Sequence, residues 1–239
     1  MRRTLITRLP IALAIAGVCF TTAASAQDAS DSAAYRALTQ TPPGALPMAM
    51  DVGVSGLRDR SGVLVRYGIM SFDNREYVHN FGIGLTIPLG SSSLGITGGY
   101  YWPNCNGSCT GHAMFSASMS QNLLRVPLGS GPGSGAFNVG LGWEAGYARQ
   151  NATLVSGKLS LPVSLVPAGR ALTLIPYIAP GLGGGLVKDD TGTEVGLLFT
   201  FGAGVGLRTT RGFTATAGVS RAFLSTGNWL AGVGITIGS

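Results

Sequence analysis

The sequence predicts an all-β protein in which one antiparallel sheet closes on itself and presents an apolar outer surface. Three observations predict this fold: bulky apolar residues alternate with small ones, 38 of the 239 residues are glycine, and 11% are charged. Globular proteins average about 7% glycine and about 25% charged residues. Such a low charge is unlike a water-soluble enzyme, and a hydrophobic content of 45% is unlike a disordered chain.

Alternation predicts the individual strands. In 137–147, Phe137, Trp143 and Tyr147 fall on one face while Asn138 and Glu144 fall on the other, as a period of two requires. The pattern predicts about ten strands, with eight and twelve as alternatives, since 48–57 also alternates. The predicted strands are 62–71, 78–88, 93–102, 112–122, 135–147, 152–164, 171–181, 194–208, 212–221 and 228–238. Many are as long as the roughly 9–11 residues that a tilted strand needs to cross a bilayer.

The small-residue face distinguishes a membrane barrel from a soluble sandwich. A sandwich carries charged and polar side chains on its outer faces and its bulky residues inside. Here the second face is glycine, serine, threonine and asparagine. In a transmembrane barrel the bulky residues face lipid and small polar residues fill the interior. The sequence therefore favours a closed transmembrane β-barrel, and a secreted glycine-rich β-sandwich or surface adhesion protein is the non-membrane alternative.

Composition changes along the chain predict three segments. Residues 1–26 are typical of a secretory signal peptide, with a basic start, an apolar stretch and Ala24-Ser25-Ala26 as the cleavage site. Residues 27–47 are predicted to be a flexible segment, and 48–239 to be the barrel. Removing the signal peptide leaves 13 basic and 10 acidic residues, so the charge gives no reason to expect nucleic-acid binding.

The two cysteines beyond the signal peptide, Cys105 and Cys109, are predicted to form a disulfide that closes a tight loop. Export places them in an oxidising compartment, where a close, even pair favours a disulfide. The histidines, His79 and His112, are too few to suggest a metal site beside them. No metal or other cofactor is expected.

Three charged residues are predicted to point into the barrel. Arg66, Glu144 and Lys158 each alternate with outward-facing neighbours, and we expect them to form an ion-pair network that plugs a narrow lumen. The direction of Arg221 is ambiguous in the pattern.

A catalytic alternative uses residues of one predicted strand. His112 with Ser116 or Ser118, and Glu144 to orient the histidine, would be the elements of a lipid hydrolase in the barrel wall. No nucleophile elbow accompanies them, so the primary expectation is a protein that is not an enzyme.

Residues 48–239 resemble the small porin-like outer-membrane β-barrels of Gram-negative bacteria. The resemblance is carried by the strands 176–183 and 202–208 with their repeated Gly-x-Gly pattern, and by the terminal strand 229–237. The chain departs from these barrels at its end, Ile237-Gly238-Ser239, where they commonly have an aromatic residue. The resemblance implies a structural or small porin-like protein in the outer membrane, with outer-membrane lipid and the barrel-insertion machinery as partners.

A C-terminus in the periplasm assigns the connections to two sides. The partner of the surface loops is unknown, and an adhesive role would lie near Cys105–Cys109 and Lys188–Asp190. The predicted outer loops are 72–77, 103–111, 148–151, 182–193 and 222–227, and the predicted inner turns are 89–92, 123–134, 165–170 and 209–211.

Overall fold

The structure, a computed structural model, describes nine ranges of the chain. These are residues 61–72, 76–103, 111–130, 134–149, 152–168, 171–190, 192–210, 212–222 and 229–238. All regular secondary structure within these ranges is β-strand. The same ranges contain no apolar helix of membrane-spanning length. The predicted signal peptide, the predicted flexible segment, residues 48–57 and both Cys105 and Cys109 lie outside the described residues.

In the described ranges, eleven strands form a single antiparallel sheet. They are β1 (Gly62–Phe72), β2 (Glu76–Leu89), β3 (Ser92–Pro103), β4 (His112–Pro127), β5 (Ala136–Arg149), β6 (Thr153–Ser160), β7 (Val163–Val166), β8 (Leu172–Asp189), β9 (Gly192–Thr209), β10 (Phe213–Ala222) and β11 (Trp229–Gly238).

Strands β6 and β7 occupy one position in this sheet. Both pair with β5 on one side and with β8 on the other, and the register runs unchanged from β6 into β7. Pro162 interrupts the ladder because proline has no N–H to donate. Its carbonyl still accepts from Gly140 N at 2.8 Å. The eleven strands therefore fill ten positions, as the alternation predicts.

The sheet is closed. Strand β1 pairs with β2 on one side and with β11, the last strand, on the other. Because β4 pairs with β5 as well as with β3, the ring of neighbours is complete and the sheet has no free side. The prediction of a closed antiparallel barrel is confirmed, and the sandwich alternative is wrong.

The register determines the width of the barrel. Following paired residues from Arg208 around the sheet returns the path to β9 at Gly196, a shear of 12 residues; the path is Arg208, Thr214, Thr236, Leu64, Gly84, Thr97, Ser116, Gly146, Ser156, Gly185, Gly196. Ten strands with this shear tilt by about 40° and enclose a backbone cylinder of about 10 Å radius. Side chains must fill most of such a narrow interior.

Bulky side chains face outward and small or polar ones face inward. Leu197 is 72% exposed on the outside, whereas its inward neighbour Gly196 is buried. In β5 the inward positions from Ala136 to Ala148 are all buried. This inverts the order of a water-soluble protein and agrees with the predicted faces.

Two predicted connections are strand instead. Strand β8 continues to Asp189, and β9 begins at Gly192. The predicted loop 182–193 is therefore mostly a hydrogen-bonded ladder, and the connection between the two strands is short. Strand β4 extends to Pro127 with a shift in its register with β5 between Asn122 and Leu124. Such an extra residue breaks the alternation in the sequence, which is why 123–134 was predicted to be a turn.

A tyrosine covers glycines on the inner wall. Gly204 pairs with Gly218, and Gly218 pairs with Gly232, so one row of the sheet lacks side chains there. Tyr177 on the neighbouring strand β8 lies across this row. A Cβ added at Gly204 would stand 2.4 Å from the Ala217 carbonyl oxygen and 2.6 Å from the Tyr177 hydroxyl. Tyr177 therefore has room in this place only because the neighbouring positions are glycine.

We predict that Gly204→Ala destabilises the barrel by about 1–3 kcal/mol, because the added methyl group overlaps backbone as well as Tyr177. Gly202→Ala is the matched control, on the same strand and face, because its Cβ would meet no atom closer than 3.7 Å. Its free energy of unfolding should change by no more than about 0.5 kcal/mol. Urea unfolding of the protein folded into vesicles measures both, and equal losses in the two variants would contradict this packing.

Candidate functional site in the barrel interior

The three predicted interior charges occupy inward positions. Arg66 on β1 is 3% exposed and Glu144 on β5 is 4% exposed. Lys158 on β6 is half-buried and alternates with the outward Leu159. These directions follow from the alternation of each strand, which the strand pairing preserves.

Glu144 and Lys158 form a pair across neighbouring strands. They are directly opposite one another in the register of β5 and β6, and the Glu144 carboxylate acts electrostatically on the Lys158 ammonium group. Residues opposite one another on one face have Cβ atoms about 4.5–5.5 Å apart, within reach of two long charged side chains. The sequence could predict their direction, but their pairing depends on the register.

Arg66 lies elsewhere on the inner wall. Its strand, β1, is four positions from β5, and its Nη2 donates a hydrogen bond to the Thr97 hydroxyl on β3. The structure thus places two of the three predicted residues, Glu144 and Lys158, opposite one another on adjacent strands. An ion-pair network that also includes Arg66 would have to span the lumen, and it stays a prediction.

Apolar side chains crowd the lumen at one end of the barrel, the end reached by the connections 73–75, 104–110 and 223–228. Eight strands each contribute one buried inward residue within two positions of the strand end. These residues form the lumenal cluster: Met70, Val78, Tyr101, Met114, Ala148, Leu154, Val187 and Leu230.

The lumenal cluster was not predicted from the sequence. Its signal is present in the sequence, because Met70, Met114 and Leu230 are large residues at positions that alternation assigns to the small-residue face. A bulky apolar residue facing a water-filled channel would have no packing partner, so several at the same level indicate mutual packing across the lumen.

The residues of the catalytic alternative do not form a triad. His112, Ser116 and Ser118 share the inner face of β4, and Glu144 is opposite Ser118. Four residues of strand separate His112 from Ser116, a distance of about 13 Å. The His112 ring instead lies 5.3 Å from the ring of Tyr101. Within the described residues no group of three or more metal-ligating side chains occurs either.

Aromatic side chains lie on the outer wall near the same end. Tyr67 and His79 are joined by a hydrogen bond of 2.7 Å between the hydroxyl and Nδ1, and the His79 ring stacks on Trp102 at 5.8 Å. Arg221, whose direction the pattern left ambiguous, is exposed on the outer wall between Phe201 and Trp229. Aromatic and cationic side chains at this level are typical of the boundary between lipid and water.

No protein-family model matches the chain, and no curated protein matches it. Among solved structures, the chain is similar to the beta domain of the Bordetella autotransporter Brka, with 15% identity, a TM-score of 0.47 and coverage of 76% of this chain and 100% of that one. The transport unit of the autotransporter AIDA-I from Escherichia coli gives 13% identity and a TM-score of 0.49, over 88% and 99%. The outer membrane enzyme PagL has 11% sequence identity and a TM-score of 0.37, with coverage of 74% of this chain and 99% of that one. Similarities of this size show no family and transfer no activity.

We predict that Glu144→Gln lowers the free energy of unfolding by about 2 kcal/mol or more, because it leaves the Lys158 ammonium inside the barrel without its carboxylate. Adding Lys158→Gln should restore part of the loss, giving a coupling energy of about 1–3 kcal/mol in the double-mutant cycle. Arg221→Gln, which removes a charge from the outer wall, is the control. Additive losses at Glu144 and Lys158 in urea unfolding would show that the two residues do not interact.

Proposed function

We propose that this protein is an integral outer-membrane β-barrel that works as a structural element and surface-loop platform, with at most a weakly conducting pore. The observation that carries the proposal is the inverted distribution of side chains, with Leu197 72% exposed outside and Arg66 3% exposed inside. An outer surface of this kind is unfavourable in water and matches the hydrocarbon core of a bilayer.

Closure of the sheet supports the same location. Within hydrocarbon an unpaired backbone N–H or C=O costs several kcal/mol, so a sheet can span a membrane only when each strand is paired on both sides. The pairing of β1 with β11 provides this condition. An N-terminal signal peptide at 1–26 would supply the export that such a location requires.

A filled lumen favours a platform over an open porin. Ten strands leave a narrow interior, the lumenal cluster fills one end, and Glu144 with Lys158 lies below it. Porins with aqueous channels have 16 to 18 strands. An interaction of the outer loops, including the predicted disulfide loop of Cys105 and Cys109, with a partner is part of the proposal, and their chemistry does not identify that partner.

Two measurements test the membrane proposal. The folded protein should migrate differently on a gel before and after boiling, and it should stay in the membrane fraction after a carbonate wash. A soluble protein without a mobility shift would overturn the location.

We predict that trimming the lumenal cluster opens the barrel. Tyr101→Ala combined with Met114→Ala should raise the single-channel conductance in planar bilayers about threefold or more, because both side chains belong to the buried cluster that fills this end of the lumen. Tyr100→Ala is the matched control, since Tyr100 is 57% exposed on the outer wall and Tyr101 is 2% exposed. A large conductance in the unmodified protein would instead support an open porin.

A further inference from the structure

A groove runs over the outer wall where β6, β8 and β9 meet. It has a volume of about 630 Å³, and its lining includes Val155, Gly157, Gly184, Leu186, Val195 and Leu197. The groove exists because Gly157 and Gly184 are paired on the outer face, where most positions carry bulky side chains. A Cβ added at Gly157 would have no neighbour closer than 3.8 Å. The groove is apolar and follows the strands, a shape that suits an alkyl chain.

A row of polar residues crosses the outer face at the level of Thr153, four residues from Gly157 in β6. Directly paired residues in the row are Arg149 on β5, Thr153 on β6, Lys188 on β8 and Thr193 on β9. Arg149 and Lys188 are both exposed, and one strand separates them, about 10 Å of backbone. We name Arg149, Thr153, Lys188 and Thr193 the cationic row.

The cationic row has no acidic residue among the outward strand positions around it. The outward positions described in β5, β6, β8 and β9 include none, and Asp189 and Glu194 alternate to the inner face, while the exposed Asp190 lies in the turn beyond the end of β8. Asp189 accepts a hydrogen bond from Gly192 N at 3.1 Å in its own turn. Two long cationic side chains can therefore converge above Thr153 on one anionic group.

We propose that this groove and the cationic row together bind an anionic phospholipid, one whose phosphate is not balanced by a positive charge in its own head group. Its acyl chain would lie along β6 over Gly157, and its phosphate would be held between Arg149 and Lys188, with the Thr153 hydroxyl as a further donor. Successive outward positions are about 7 Å apart along the strand, so Val155, which lines the groove, lies between Gly157 and the head group. The proposal rests on the membrane location proposed above.

A second outer groove differs from the first in the number of cations beside it. It lies on the outer side of the glycine row, over the small outward residues Ala203, Ala217 and Ala231, and has a volume of about 590 Å³. Among the described residues, one cation, Arg221, stands beyond it, at a position paired with Phe201 on one side and Trp229 on the other. Because a single cation cannot clamp a phosphate from two sides, this groove serves as an internal control.

Tryptophan quenching tests the proposal. Trp143 is paired with Leu159, which lines the groove. In a variant that carries Trp102→Phe and Trp229→Phe, Trp143 is the one tryptophan left of three, so its fluorescence reports on that part of the wall alone. The probes are vesicles that contain phosphatidic acid or phosphatidylcholine with brominated acyl chains. We expect phosphatidic acid to bind about five- to tenfold more strongly beside Trp143, because two cations near the surface favour the dianionic head group.

Matched variants assign the preference to the two parts of the site. Arg149→Gln with Lys188→Gln should reduce the ratio to about one. Gly157→Leu should also reduce it, since the side chain fills the groove, whereas Gly98→Leu on the outer wall of β3 and Arg221→Gln should leave it unchanged. A side chain at position 98 has room, because the nearest atom to a Cβ added at Gly98 would be in Phe115, at 3.6 Å.

The outcomes separate this proposal from the membrane location. Absence of quenching by either lipid would overturn the membrane proposal itself. Equal quenching by both lipids, or a preference that survives Arg149→Gln with Lys188→Gln, would overturn the lipid site. A preference abolished by inorganic phosphate in solution would show that the cationic row binds a free anion and would overturn the lipid assignment.

Discussion

The pairing of β1 with β11 is the constraint on which the rest of the barrel depends. It joins the first described strand to the last, from Gly62 opposite Gly238 onward, and it turns an open sheet into a ring. In a medium that cannot hydrogen-bond, only such a ring satisfies every strand. The ring closes with a shear of 12 residues, and this value together with ten strands determines the tilt, the radius and the level at which inward residues meet.

In so narrow a barrel, different kinds of side chain occupy different parts of the wall and the lumen. Glycines leave room for Tyr177 on the inner wall, large apolar residues pack at one end of the lumen, and Glu144 and Lys158 lie opposite one another further along it. Outside, the same strands carry residues that would be a core in a soluble protein. Where Gly157 and Gly184 take the place of bulky residues in that outer layer, the wall has the groove in which the proposed lipid would lie.

Alternation was sufficient to predict the strands, their faces and the inward direction of Arg66, Glu144 and Lys158, because a period of two is a local property of the backbone. Register is not local, so the opposition of Glu144 to Lys158 and the separate contact of Arg66 with Thr97 could not be predicted. The bulge near Leu123 disrupts the period and concealed the end of β4. Polar and glycine-rich residues in 182–193 suggested a loop, yet cross-strand pairing holds them in a ladder.

The length of β8 and β9 has a mechanical consequence. Each contains 18 residues, a contour of about 60 Å, and a tilt of about 40° leaves a height of about 45 Å. Since the apolar band of an outer-membrane barrel is about 25 Å tall, part of this hairpin must stand clear of the bilayer. The hydrogen-bonded ladder holds the turn between Asp189 and Gly192 at a defined height, just beyond the level of the lipid head groups that Lys188 would contact, so a protein that approaches this end of the barrel meets the turn before the wall.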